Sequence, residues 1–231
     1  MLETSTNDDA DTRAREIRVL AERFLDVAEI GPQWFWEFDS EFRYIYLSER
    51  GLQMYGLSKE EIYGRTREQT VRPRMTPVDL EEQRRHDEDI KNRRSFRNHH
   101  YVLHRLDGTD AHILTSGKPY FDVDGVFRGY RGVSVDITDQ VRAETQLRAA
   151  IEAIEDGFAY FDAEERFVLC NSKYLDFYPE ANRILLPGTT FEHIVRNGVT
   201  KGFVRNTTPG IEEFVTERMR KFRAGDVTFD S

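Results

Sequence analysis

Apolar and polar residues alternate in short bursts along most of this chain, and longer 3–4 periodicities frame them. Ile17, Leu20, Ala21, Phe24 and Ala28 fall on one helical stripe, so a helix is expected over residues 12–30, ended by Gly31-Pro32. Residues 33–39 and 42–48 are aromatic and β-branched around a polar turn and predict a hairpin. Short helices broken at Gly56 and Gly64 are expected over 49–67, with Ser58 as a cap. Thr76-Pro77-Val78-Asp79 reads as the start of a helix running to about Arg94, with Thr76 capping and Pro77 in its first turn. Residues 97–106, 109–123 and 126–137 then predict three strands joined by turns at Asp107-Gly108 and Asp124-Gly125. Tight turns make neighbouring strands antiparallel. The expected fold is therefore α+β, a five-stranded antiparallel sheet with helices on one face.

The pattern then repeats. The stretch from Phe35 to Gly56 aligns without a gap on Phe158 to Pro179, at an offset of 123 residues. Phe38 meets Phe161, Asp39 meets Asp162, Arg43 meets Arg166, Ser48 meets Asn171 and Leu52 meets Leu175. A repeat of this length predicts a duplicated domain. The expected organisation is a tail and amphipathic helix over 1–31, a first domain over 32–138, a helical linker over 139–156, and a second copy over 157–231. The same offset carries residue 231 back to 108, the first hairpin turn of copy one, so the second copy is expected to be partial, lacking its C-terminal strands.

Composition narrows the function classes. A net charge of −9 argues against a general grip on nucleic acid or anionic membranes. The basic stretch from Arg65 to Arg105 is read as a solvated face. One cysteine, Cys170, permits no intramolecular disulfide. The acidic, polar start lacks a signal-peptide pattern, and no apolar run reaches the length of a membrane span, so a cytoplasmic location is expected.

Three features together resemble the PAS domain family: the two-strand opening, the stretch Gly56-Leu57-Ser58-Lys59-Glu60-Glu61-Ile62-Tyr63-Gly64, and the closing Gly129-Tyr130-Arg131-Gly132-Val133 to Asp136-Ile137-Thr138. The second copy resembles a PAS variant through Cys170-Asn171, Tyr174 and Leu186-Pro187-Gly188-Thr189-Thr190-Phe191. The resemblance implies a sensory input region of a bacterial signal-transduction protein, normally upstream of a histidine kinase or diguanylate cyclase. No output signature of either kind is present, so no catalysis is expected of this chain. It also implies a ligand pocket at Trp36, Phe38, Tyr44 and Tyr46, a signal junction at Asp136 and Thr138, and signalling helices carrying Leu20, Phe24, Val141, Leu147 and Ile151. Those helices are expected to pair two copies of the chain as a homodimer. Asp136 and Thr138 would anchor the exit helix, whose shift is a two-state output.

Cofactors are weighed against simpler readings. Copy one has no cysteine, and Cys170 sits on a strand, so no flavin photochemistry is expected. His86 lies on the long helix where haem-binding members carry a ligand. Its neighbours Arg84, Arg85, Asp87, Glu88 and Asp89 make it a solvated surface histidine on this reading, and no haem is expected. His99, His100 and His104 do not form a metal set. His99 and His100 point to opposite faces, His100 and His104 lie about 13 Å apart, and a two-residue turn would pair His104 with Ala111 and Leu103 with His112. A small-molecule ligand remains open for the pocket. The rival reading is a stand-alone ligand-binding or interaction adaptor without an output enzyme; an independent enzyme ranks third, because the acids Asp39/Glu41 and Asp162/Glu164 sit in turns.

Overall fold

The computed structural model describes residues 15–16, 18–20, 22–23, 26, 30–177, 184–202 and 210–225. It divides into two units, residues 1–142 and 143–231. The expected tail over 1–11 lies outside the described residues, as does Phe24, while those described between 15 and 26 are helical.

In the first unit, alternation and turn chemistry place the strands. β1 (Gln33–Phe38) and β2 (Tyr44–Leu47) form the opening hairpin, followed by α1 (Glu49–Tyr55) and α2 (Lys59–Ile62). α1 ends on Gly56 in the left-handed conformation (φ 65°), which costs glycine little because it has no Cβ. α2 starts with the Ser58/Glu61 capping box. Two 3-10 turns (Arg67–Gln69, Arg72–Arg74) lead to β3 (Met75–Pro77) and α3 (Leu80–Lys91). β4 (Phe96–His104), β5 (Asp110–Phe121) and β6 (Phe127–Asp136) complete an antiparallel sheet in the order β2-β1-β6-β5-β4-β3.

The sheet thus has six strands rather than five. The helix start expected at Thr76 is a strand, with Thr76 opposite Val102 and Pro77 opposite Tyr101. Met75 buries its side chain opposite Leu103. The strand lies at the sheet edge, where a proline removes no needed ladder bond. The true cap is Asp79, whose carboxylate accepts from the Glu82 amide at 2.7 Å.

The β4–β5 turn also differs by one residue. Arg105 N donates to Thr109 O at 2.8 Å and Gly108 sits at φ 84°, leaving a three-residue loop. Leu103 therefore pairs with Ala111, His104 with Asp110 and Val102 with His112. Trp34, Trp36, Tyr44, Leu47, Tyr55, Ile62, Tyr101, Leu103, Ile113 and Tyr130 form the core between sheet and helices.

After β6 comes α4 (Thr138–Glu152), within which the two units divide. The second unit contains β7 (Ala159–Phe161), β8 (Phe167–Cys170), α5 (Ser172–Phe177), α6 (Phe191–Thr200) and α7 (Ile211–Arg223). The duplication holds bond by bond. Asp39 accepts from the amides of Glu41 and Arg43, and Asp162 accepts from those of Glu164 and Arg166. Phe42 and Glu165, 123 apart, are both left-handed, at φ 61° and 58°. Arg43 donates to Gly64 O at 3.0 Å and Arg166 to Gly188 O at 2.9 Å. Isolated bridges join Arg43 to Thr66 and Arg166 to Thr190. The later partners stand 124 residues apart, so one residue has entered the second copy between its helix and this bridge.

Candidate functional site

The inner face of the first unit's sheet holds a cavity of about 360 Å³. Trp36 and Phe38 line it from β1 and Tyr44 from β2, as their alternation predicts. Phe96 and Tyr101 of β4, Thr115 of β5 and Tyr130 and Ser134 of β6 extend the wall, and Arg67 and His86 face it from the helical side. The Trp36 indole is held across the sheet. Its Nε1 donates to Ser134 Oγ at 3.0 Å, and Ser134 donates on to Thr115 Oγ1 at 2.8 Å. Gly117 and Gly132 make room for the ring: a Cβ on Gly132 would lie 2.0 Å from the indole, one on Gly117 2.6 Å.

Tyr46 does not join the site. It is 37% exposed and lies outside the cavity lining. The register slips between Glu37 and Phe38, so that Trp36 faces Leu47 but Phe38 faces Tyr44. This bulge turns Tyr44 and Leu47 inward together and sends Tyr46 out.

His86 overturns the surface reading. It is 4% exposed, stacks on His99 with ring centroids 3.9 Å apart, and meets the Phe96 ring edge-on at 4.4 Å. Burial, then His99 and Arg67, lower its pKa to about 3; burial and Arg67 lower that of His99 to about 4. Both rings are therefore neutral at pH 7. His86 Nδ1 is buried without a hydrogen-bond partner. Glu82 comes within 3.3 Å of His99 Nδ1 but out of line for a hydrogen bond. Arg84, Arg85 and Glu88, which make His86 look wet in sequence, are exposed on α3, whereas Gln83, His86 and Ile90 share its inner stripe. Burial removes that ground for setting a haem aside. His100 is on the opposite face, its Nε2 3.2 Å from His112 Nδ1. Among the described residues no three His, Cys, Asp or Glu gather as a metal site. Cys170 lies at the end of β8 in the second unit, where burial and Glu152 raise its pKa.

The residues expected at the junction come together. Asp136 Oδ1 accepts from Thr138 N at 2.9 Å and bonds the Thr138 hydroxyl, while Oδ2 accepts from Arg105 at 2.6 Å. Thr138 Oγ1 accepts from His112 N at 2.9 Å. The start of α4 is thus pinned to β5 and to the β4–β5 turn. Arg105 and His112 are the partners that sequence reasoning missed; only the folded sheet brings them within reach. Of the helix residues, Leu20 and Leu147 are 69% and 60% exposed, and Val141 and Ile151 are half-buried.

Family models described as PAS fold match residues 29–142 and 151–229. The chain belongs to the PAS family. Its two PAS matches coincide with the two copies of the repeat. Over 72 residues it is 33% identical to the non-motile and phage-resistance protein of Caulobacter vibrioides, covering 28% of this chain and 9% of that protein. The chain therefore spans under a tenth of the length of that relative. Among solved structures, the LOV domain of a blue-light activated histidine kinase from Erythrobacter litoralis is 22% identical, with 47% of this chain and 98% of that one covered at a TM-score of 0.39. A sensory box histidine kinase/response regulator from Burkholderia thailandensis is 18% identical, with coverages of 55% and 94% and a TM-score of 0.41.

Proposed function

We propose that this tandem PAS chain is a sensory input region: the first PAS unit binds a small molecule in its aromatic cavity, and the occupied sheet alters the hold on α4. The single observation that carries this is the double use of β6. Tyr130 and Ser134 line the cavity, and Asp136, two residues on from Ser134, anchors Thr138 at the helix start. A ligand that moves Ser134 or Trp36 therefore strains the same strand that holds the helix. A two-state helix biased by such a contact is a sufficient relay.

A diffusible ligand is favoured over thiol-adduct flavin photochemistry, because the cavity unit carries no cysteine. The output would be a histidine kinase or diguanylate cyclase in the same polypeptide, the setting a cytoplasm, and the working form a homodimer through the flanking helices. A stand-alone adaptor is the second reading. The exposed Leu147 on α4 fits either, since both need a surface for a partner.

The test is amide hydrogen exchange with and without a bound ligand. Protection should change both along β6 and over the first turn of α4, residues 138–142. Arg105→Ala should raise exchange in that turn and weaken its response to ligand while leaving cavity binding intact. A response confined to the cavity strands in the wild-type chain would sink the relay.

A further inference from the structure

We infer that the cavity of the first PAS unit selects an anionic aromatic ligand, whose carboxylate the Arg67 guanidinium receives beside the His86 imidazole. This deepens the ligand-site reading above and rests on it. Arg67 is half-buried in the 3-10 turn capped by Thr66, and its guanidinium lies 5.5 Å from the centre of the Tyr101 ring. Among the described residues it has no ion pair, so a charge facing the cavity lacks its counter-charge. His86, nine-tenths and more buried, lines the same cavity with an unpartnered Nδ1.

The lining also contains carboxylates, and exposure decides the sign. Glu41, paired with Arg43 at 3.0 Å, Glu68 and Asp87 are all exposed to solvent, whereas Arg67 is half-buried. Arg67 leads the charged side chains acting on Tyr44 and Tyr101, and Arg67 and Arg72 both disfavour a proton on His86, while Glu82 and Asp87 oppose Arg67 at His99. The half-buried charge of the lining is therefore the positive one. A cationic ligand would meet Arg67 inside, and a neutral one would leave it half-desolvated and unmatched. A carboxylate matches the planar fork of a guanidinium, and the remaining walls, Trp36, Phe38, Phe96 and Tyr130, are aromatic faces suited to a ring.

The experiment uses the full chain and three probes of one shape: 1-naphthoate, 1-naphthamide and 1-naphthylmethylammonium. Binding is followed by tryptophan fluorescence and calorimetry at pH 7.5. Naphthoate should bind at least tenfold tighter than the amide, with the ammonium weakest. Arg67→Gln, checked for folding by circular dichroism, should bring naphthoate and amide within about twofold while keeping amide affinity. The wild-type comparison alone decides the matter if that variant does not fold. Equal binding of naphthoate and amide, or tightest binding of the ammonium, overturns the anion proposal and leaves the cavity a ligand site. Saturation by none of the probes at millimolar concentration overturns both.

Discussion

The neutral, stacked pair His86 and His99 links one contact to the pH dependence of the whole first unit. Both folded pKa values lie below the ordinary histidine value of 6.5, at about 3 and about 4. Above pH 6.5 neither state binds the extra proton and stability is full. As pH falls through 6.5 the unfolded chain takes up protons that the fold refuses. Stability is then lost down to the folded values, at up to about 1.4 kcal/mol per pH unit for each histidine. Chemical denaturation of the wild type between pH 7 and 5 should show this fall, and His86→Phe should flatten it. Glu82 and Asp87 beside His99 oppose the effect, so His99 should contribute the smaller share. Gly132 makes a second residue-scale prediction. A methyl group there meets the Trp36 indole and Ser116 O at 2.4 Å or closer. Gly132→Ala should cost about 2–3 kcal/mol and shift tryptophan emission, measured by urea titration. Neither feature was open to a sequence reader. The inward set Trp36, Phe38 and Tyr44 follows from alternation, but Tyr46 escapes it through a bulge, and the burial of His86 depends on β4, which is distant in sequence.

At the scale of elements, both Asp-Gly turns are three-residue loops, one residue longer than expected, but their places, the hairpins and the cap at Ser58 were legible because each is set by local chemistry. β3 was not. Thr76-Pro77 has the composition of a helix start, and pairing with Val102 and Tyr101 overrides it. The same contrast appears where α4 ends. Asn171, fully buried, accepts from the amides of Phe158 and Tyr174 and donates to the carbonyls of Ile151, Ile154 and Asp156 over 2.9–3.4 Å. Its counterpart Ser48 accepts from Phe35 N at 3.1 Å, so the second copy keeps the repeat's bond and adds a cap for the preceding helix. Asn171→Ala should destabilise the second unit by about 2–4 kcal/mol, because several buried backbone groups lose their partners together. A denaturation transition left unchanged by this substitution would show that water replaces the side chain.

For the whole molecule, duplication was the most legible fact, since an offset of 123 residues survives in sequence and in hydrogen bonds alike. Assembly is not written locally, and its prediction is correspondingly coarse. If the flanking helices pair two copies, sedimentation should report a dimer, and Leu147→Glu on the exposed face of α4 should yield a monomer with unchanged circular dichroism. A wild-type monomer at tens of micromolar would favour the adaptor reading instead.

The matched bridges at Thr66 and Thr190 imply something about descent. The residue after each occupies one structural address in both copies: Arg67 in the first, Phe191 in the second. Phe191 stacks on Phe222 at 4.1 Å, and the hollow of about 250 Å³ that these two rings line in the second unit has no charged side chain in its lining. Once a gene carries two versions of one receptor, selection can hold one address to a charge while the other drifts to hydrocarbon. On the ligand reading proposed above, the exchange of Arg67 for Phe191 at this address predicts that the two hollows no longer answer to the same chemistry.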